Sequence, residues 1–264
     1  MSSSLQNNNI SALNQQQPSK KNQEQKEALI NIEWAKNEND IKEAQKLRYK
    51  IFAEEMGANI SGGKEKLDRD IFDEHCEHLI ARNSKTNKVI GTYRVLTPEA
   101  VKIIGSLYSE MEFELGLIND IKDQVVEVGR ACIHKKYRSG NVIMQLWAEL
   151  GRFMKKNNYR YMVGCSSISI KDGGILAASV YKKLYDAERI VNHFHVKPKL
   201  PLSIEQLAFN KDCNTPALLK GYLRVGAVVC GKPAWDPDFN TADFFTMLDL
   251  TKIPRRYFNH FLGN

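Results

Sequence analysis

Between Val125 and Trp147 the chain passes from a β-branched run, through a basic turn, onto an apolar helical stripe, and no other stretch limits the possible folds so sharply. Val125-Val126-Glu127-Val128-Gly129-Arg130-Ala131-Cys132-Ile133 reads as a central strand. His134-Lys135-Lys136-Tyr137-Arg138-Ser139-Gly140 is the turn, and a helix is predicted over 140–156. A strand feeding a helix in this way implies an α/β layering of sheet and helices. The first turn of such a helix offers free N–H groups and the positive end of its dipole, which suits a phosphate or a phosphopantetheine group. The strand also carries Glu127 and Arg130, three residues apart and so on opposite faces of an ideal strand. They read either as a base beside that anion site or as an internal ion pair.

With 264 residues, 42% of them hydrophobic, the chain can bury a large core. No window approaches the ~18 apolar residues of a membrane span, and the N-terminus lacks an apolar signal region. A cytoplasmic protein is expected. The five cysteines are odd in number and none stands at C-x-x-C spacing, so neither a disulfide framework nor a metal site is expected. The net charge of +7 favours acidic partners. No nucleic-acid motif or base-stacking aromatic pattern accompanies it, so nucleic acid is not among them. An anionic partner and plain solubility both remain open.

Residues 1–27, rich in Ser, Asn, Gln and Lys, are expected to be disordered. The remainder, 28–264, is expected to form a single domain with a C-terminal extension from about residue 190. A first strand over 30–34 precedes a helix capped by Asn39 or Asp40, with Ile41, Ala44, Leu47, Ile51 and Phe52 as its stripe. The polar, acidic segment 62–77 reads as a surface loop, and 78–82 with 89–96 as a hairpin. A variable connection begins at Pro98, and a short helix is predicted over 109–115. Further elements are a strand over 161–166, a helix after Gly173-Gly174, a helix over 216–223, and strands over 226–230 and 243–248. The order gives an α/β (α+β) fold around a mixed sheet.

Several patches together resemble one family. They are Leu47-Arg48-Tyr49-Lys50-Ile51-Phe52-Ala53-Glu54-Glu55-Met56-Gly57, Asp70-Ile71-Phe72-Asp73-Glu74-His75, Gly91-Thr92-Tyr93-Arg94-Val95-Leu96, Glu127-Val128-Gly129-Arg130 with the basic turn, Lys220-Gly221-Tyr222-Leu223-Arg224 and Phe239-Asn240-Thr241-Ala242-Asp243-Phe244. The chain is similar over about residues 40–262 to the GNAT acyltransferases, in the branch of ornithine-lipid N-acyltransferases whose members also carry the label haemolysin. Acyl-homoserine-lactone synthases are the cousins of that branch. The resemblance implies a GNAT-like, mostly antiparallel sheet flanked by helices, with a β-bulge on the central strand. It implies transfer of a 3-hydroxyacyl chain from acyl carrier protein to the α-amine of L-ornithine, giving lyso-ornithine lipid by direct aminolysis. The alternatives are a GNAT enzyme acting on another amine and, from a different class, a haemolysin-like membrane-active protein.

By the same resemblance Glu127 and Arg130 are the catalytic or site-organising pair. Arg138, Ser139, Gly140 and Asn141 are expected to bind the phosphopantetheine arm. Asn141 and Ile143 stand where the wider superfamily has small residues against coenzyme A, which favours an acyl carrier protein, itself acidic, as donor. Arg48, Asp70, Asp73 and Arg94 are expected to hold the amino-acid substrate, with a salt-bridged network as the structural alternative. No tightly bound cofactor is implied; the thioester is a co-substrate. The basic, aromatic 254–262 suggests peripheral contact with an anionic membrane.

Overall fold

The computed structural model describes residues 30–257, so the expected disordered tail and the last residues of the basic C-terminus lie outside it. Strand β1, Ile30–Trp34, leads into helix α1, Glu38–Tyr49. The helix starts at Asn37, earlier than expected, because the Asn37 side chain accepts the N–H groups of Asn39 and Asp40. It widens into a π-helical turn over Lys50–Glu55 that buries Ile51 and Phe52. Strands β2, Glu77–Asn83, and β3, Val89–Leu96, form the expected hairpin.

The connection after β3 contains helix α2, Pro98–Ile104. Its punctuation was present in the sequence: Thr97 caps it, Pro98 opens it, and Gly105 closes it at φ 91°. The helix expected over 109–115 is instead a 3₁₀ turn, Tyr108–Met111, followed by the short strand β4, Phe113–Glu114. Phe113 and Leu115 are buried with Glu114 exposed between them, a period of two rather than 3.6.

Strand β5, Val125–Ile133, and helix α3, Asn141–Lys156, follow as read from the sequence. Then come β6 (Tyr161–Ser169), α4 (Ile175–Asp186), β7 (Ile190–Val191) and β8 (Lys197–Pro198). Helix α5 (Ala217–Arg224) and strands β9 (Val228–Cys230), β10 (Ala234–Asp236) and β11 (Thr241–Asp249) complete the described chain. The main sheet runs β1-β2-β3-β5-β6-β11-β9-β7, with β10 added beside β11, while β4 and β8 pair separately. It is antiparallel except for β5–β6 and β7–β9. Val142, Leu146, Leu150 and Met154 of α3 pack on Leu79, Val95, Val126 and Val128, and the helix covers one face of the sheet. No helix among the described residues is long and apolar enough to cross a membrane.

Two irregularities shape the middle of the sheet. The β3–β5 register slips between Thr92 and Arg94, and Arg130 takes φ 49°, so β5 carries the expected bulge. Parallel pairing of β5 with β6 covers only Val125–Glu127 against Tyr161–Val163, although both strands continue. Beyond that point they splay. Gly164 sits where they part: a Cβ there would lie 2.2 Å from the Val128 carbonyl oxygen. Gly164→Ala is therefore expected to cost about 1–3 kcal/mol. That is a fall of several degrees in Tm, read by circular dichroism.

The segment 62–77 is not the surface loop that its composition suggested. Leu67, Asp68, Phe72 and Asp73 are buried in it, because its aspartates meet arginines from α1, β3 and β5.

Candidate active site

The splay opens a cleft of about 490 Å³, lined along β5 from Glu127 to Ile133 and walled by Phe72, Tyr108, Trp147 and Cys165. Glu127 is almost wholly buried yet lines it. Its carboxylate accepts the backbone N–H groups of Tyr108 at 2.5 Å and Ser109 at 2.8 Å. Burial pushes its pKa up, against these hydrogen bonds and the Arg94 charge. Glu127 and Arg130 line the same cleft, but no ion pair joins them.

Arg130 belongs to a second arrangement. Arg48, with none of its surface exposed, donates to Asp68 at 2.8 Å and bidentately to Asp73 at 2.7 and 2.9 Å. Arg94 donates to Asp70 at 2.6 Å and Asp73 at 3.0 Å. Arg130 lies 3.2 Å from Asp68 and 3.3 Å from Asp70. The Tyr108 ring carries Arg94 and Arg130, each with its guanidinium carbon 5.0 Å from the centroid. Burial would raise Asp73, yet Arg48 and Arg94 hold its carboxyl well below the usual carboxylate range. Of this network only Arg94 and Arg130 line the cleft. Arg48, Asp70 and Asp73 stand behind them, joined to them by ion pairs and not lining the cleft.

The basic turn forms another wall. Arg138 donates to the Ile133 carbonyl and to Glu55, both at 2.8 Å, and remains about half exposed. Gly140, at φ 98°, precedes α3 without any side-chain cap on the helix. The first N–H groups of α3 are thus left without a side-chain acceptor, beside a cleft that Arg138, Gly140 and Ile143 line. Asn141 accepts a hydrogen bond from Gln145, and Ser139 is exposed.

A family model for the acetyltransferase (GNAT) domain matches residues 47–148. A protein named L-ornithine N(alpha)-acyltransferase from Agrobacterium fabrum is 30% identical over 247 residues, covering 87% of this chain and 84% of that one. One of the same name from Rhizobium meliloti is 30% identical over 253 residues, covering 89% and 84%. The chain belongs to this acyltransferase family. Solved structures agree on the fold: the acyl-homoserine-lactone synthase LasI, at 12% identity, matches with a TM-score of 0.52 over 89% of this chain and 95% of its own. The synthase MesI matches at 12% identity with a TM-score of 0.51 over 89% and 96%.

This member of the GNAT acyltransferases carries cleft residues that sequence reasoning passed over. Glu112, Cys165 and Asp243 have ligand atoms within 4.8 Å of one another. Asp236, Ser167 and Thr241 line the cleft with them. Their alternation along β6 and β11 was the signal: Cys165 and Ser167 share one face, as do Thr241 and Asp243. Burial pushes Glu112 up to about 9, and the neighbouring Asp243, Asp236 and Glu127 charges add to it. Asp243 is raised by burial too, against hydrogen bonds from Thr241 and Ser167.

A carboxyl raised on folding stabilises the fold while protonated. That contribution is lost as pH climbs from its ordinary value through the raised one. Tm is therefore expected to fall between about pH 5 and pH 9, and Glu112→Gln to flatten that limb in a pH series of thermal melts.

Beyond the cleft, Trp147 donates to the Tyr93 hydroxyl at 2.8 Å, which bonds the Tyr222 hydroxyl at 2.6 Å. Behind these side chains lies an apolar pocket lined by Leu150, Met162, Val225, Leu248 and Ile253.

Proposed function

We propose that this chain transfers a 3-hydroxyacyl group from the phosphopantetheine thioester of acyl carrier protein to the α-amine of L-ornithine, giving lyso-ornithine lipid. The relatives' names support the acceptor. The observation that carries the reading is the splay of β5 from β6, which leaves β5 backbone groups beyond Glu127 without a strand partner on the cleft side. Unpaired strand groups are a template for an extended, amide-bearing chain. A pantetheine arm is such a chain. Its phosphate lies at the α3 N-terminus with Arg138, Ser139, Gly140 and Asn141, and the acyl tail points past Tyr93, Trp147 and Tyr222 into the apolar pocket.

The amine nitrogen attacks the thioester carbonyl, a C–N bond forms, and the oxyanion is held by β5 N–H groups. Collapse breaks the C–S bond and releases the carrier thiol. Glu127, its pKa raised by burial, takes the proton that the ammonium must lose. Arg94 and Arg130 hold the acceptor's carboxylate, and Arg48, Asp70 and Asp73 position them. No step requires a metal.

The test is purified protein with acyl carrier protein or coenzyme A thioesters and ornithine, read by mass spectrometry. N-acylornithine is expected, formed faster from the carrier protein. Failure to acylate any amino acid with either donor overturns the reading. Arg138→Ala is expected to raise KM for the carrier thioester about three- to tenfold with little change in kcat, an effect that shrinks in high salt.

A further inference from the structure

We propose that Glu112, Asp236 and Asp243 form the subsite for the side-chain ammonium of a diamino-acid acceptor, and so set which amino acid is acylated. The proposal rests on the acceptor reading above and assigns that specificity to particular side chains. Sheet order supplies the first argument. Arg94 is on β3, Glu127 on β5, Cys165 on β6 and Asp243 on β11, four successive strands, and all four residues line one cleft. An acceptor whose carboxylate meets Arg94 and whose α-amine meets Glu127 extends its side chain toward β6 and β11. The order of groups along ornithine matches the order of strands.

Charge balance is the second argument. The aspartates behind Arg94 are matched by arginines, whereas these three carboxylates are not. Among the described residues no lysine or arginine forms an ion pair with Glu112, Asp236 or Asp243. Asp243 keeps only 4% of its surface exposed and accepts a hydrogen bond from the Thr241 hydroxyl at 2.8 Å, but no cation answers its charge. Glu112 Oε2 is buried with no donor from any other side chain, and its carboxyl faces that of Asp243 closely enough to share one proton. A buried carboxylate lacking a counter-charge is costly, and a cationic ligand entering from the cleft removes that cost. Burial and the crowd of acids raise Glu112 and Asp243, so the pair retains a proton that a bound ammonium displaces.

The same atoms suggest a metal, but the donor chemistry favours an ammonium. Burial and the nearby Glu112 and Asp243 charges push the Cys165 thiol far up, which keeps it neutral and a poor metal ligand. An ammonium needs only oxygen acceptors.

The decisive comparison is ornithine against norvaline, which has the same carbon chain without the terminal amine. The full chain is assayed with acyl carrier protein thioester. Wild type is expected to favour ornithine in kcat/KM by roughly 100-fold. Asp243→Asn and Glu112→Gln are each expected to reduce that preference by about tenfold, mainly through KM for ornithine. A second arm needs no turnover: ornithine and norvaline are titrated calorimetrically at pH 8 in two buffers of different ionisation enthalpy. Ornithine is expected to release protons from the group formed by Glu112 and Asp243 beside Asp236, Glu127 and Cys165; norvaline is not.

If wild type acylates both amino acids equally, or both variants keep its preference, the subsite is overturned while acyl transfer stands. If no amino acid is acylated but ornithine alone binds with proton release, and Asp243→Asn abolishes the release, the subsite stands and the reaction reading falls. Loss of activity on chelation, restored by added zinc, overturns it in favour of a metal.

Discussion

Asp73→Ala is expected to destabilise the fold by about 3–5 kcal/mol, the cost of leaving a buried charge without its partner. Asp73 accepts both terminal nitrogens of Arg48, one from Arg94, and the backbone N–H of Asp70. Arg48 cannot turn to water, because no part of it is exposed. Against a typical total of roughly 5–15 kcal/mol, the loss leaves a marginal protein. Asn offers little rescue, since its amide hydrogens face arginine hydrogens. The pH dependence carries a sign. Arg48 and Arg94 hold the folded carboxyl below its usual range, so its contribution is complete above the ordinary carboxylate pKa and is lost as pH falls toward the folded value. Urea unfolding followed by tryptophan fluorescence at pH 7 and pH 2.5 is expected to show a smaller wild-type advantage at pH 2.5. An Arg48→Met, Asp73→Leu double variant is expected to recover part of the loss, because it removes both charges.

Glu127→Gln is expected to lower kcat by about 10²–10⁴-fold, the range for loss of a positioned general base. It also has a structural cost. A glutamine amide nitrogen cannot accept a hydrogen bond, so one of the Tyr108 and Ser109 N–H groups loses its acceptor, worth about 1–3 kcal/mol. The two effects separate in the pH profile. Wild-type kcat falls as pH drops through the raised Glu127 pKa, and the variant lacks that limb. A variant with wild-type kcat and a lowered Tm reduces Glu127 to holding the Tyr108–Met111 turn in place.

The fold was legible where local chemistry and final environment agree. The β-branched run ending in a basic, glycine-bearing turn predicted β5 and α3 closely, because strand propensity, apolar spacing and the positive φ at Gly140 all point one way. Helix α2 was missed despite Thr97, Pro98 and Gly105, since Pro98–Ile104 is too short to display a clear stripe.

The site was harder for a different reason. A carboxylate-rich segment such as 62–77 looks solvated until Arg48, Arg94 and Arg130 are brought to it from three other elements. The bulge expected in β5 is there, but Arg130 turns to Asp68 and Asp70 rather than to Glu127. Cys165 and Asp243 are neighbours only because β11 lies against β6, a pairing that strand patterns do not specify.

The sheet is sewn across its centre by three residue pairs only, Val125, Val126 and Glu127 against Tyr161, Met162 and Val163. Any extended chain that fills the gap above them becomes a stitch between the two halves. A ligand that bridges this seam in the folded protein is expected to raise its Tm as the ligand concentration rises.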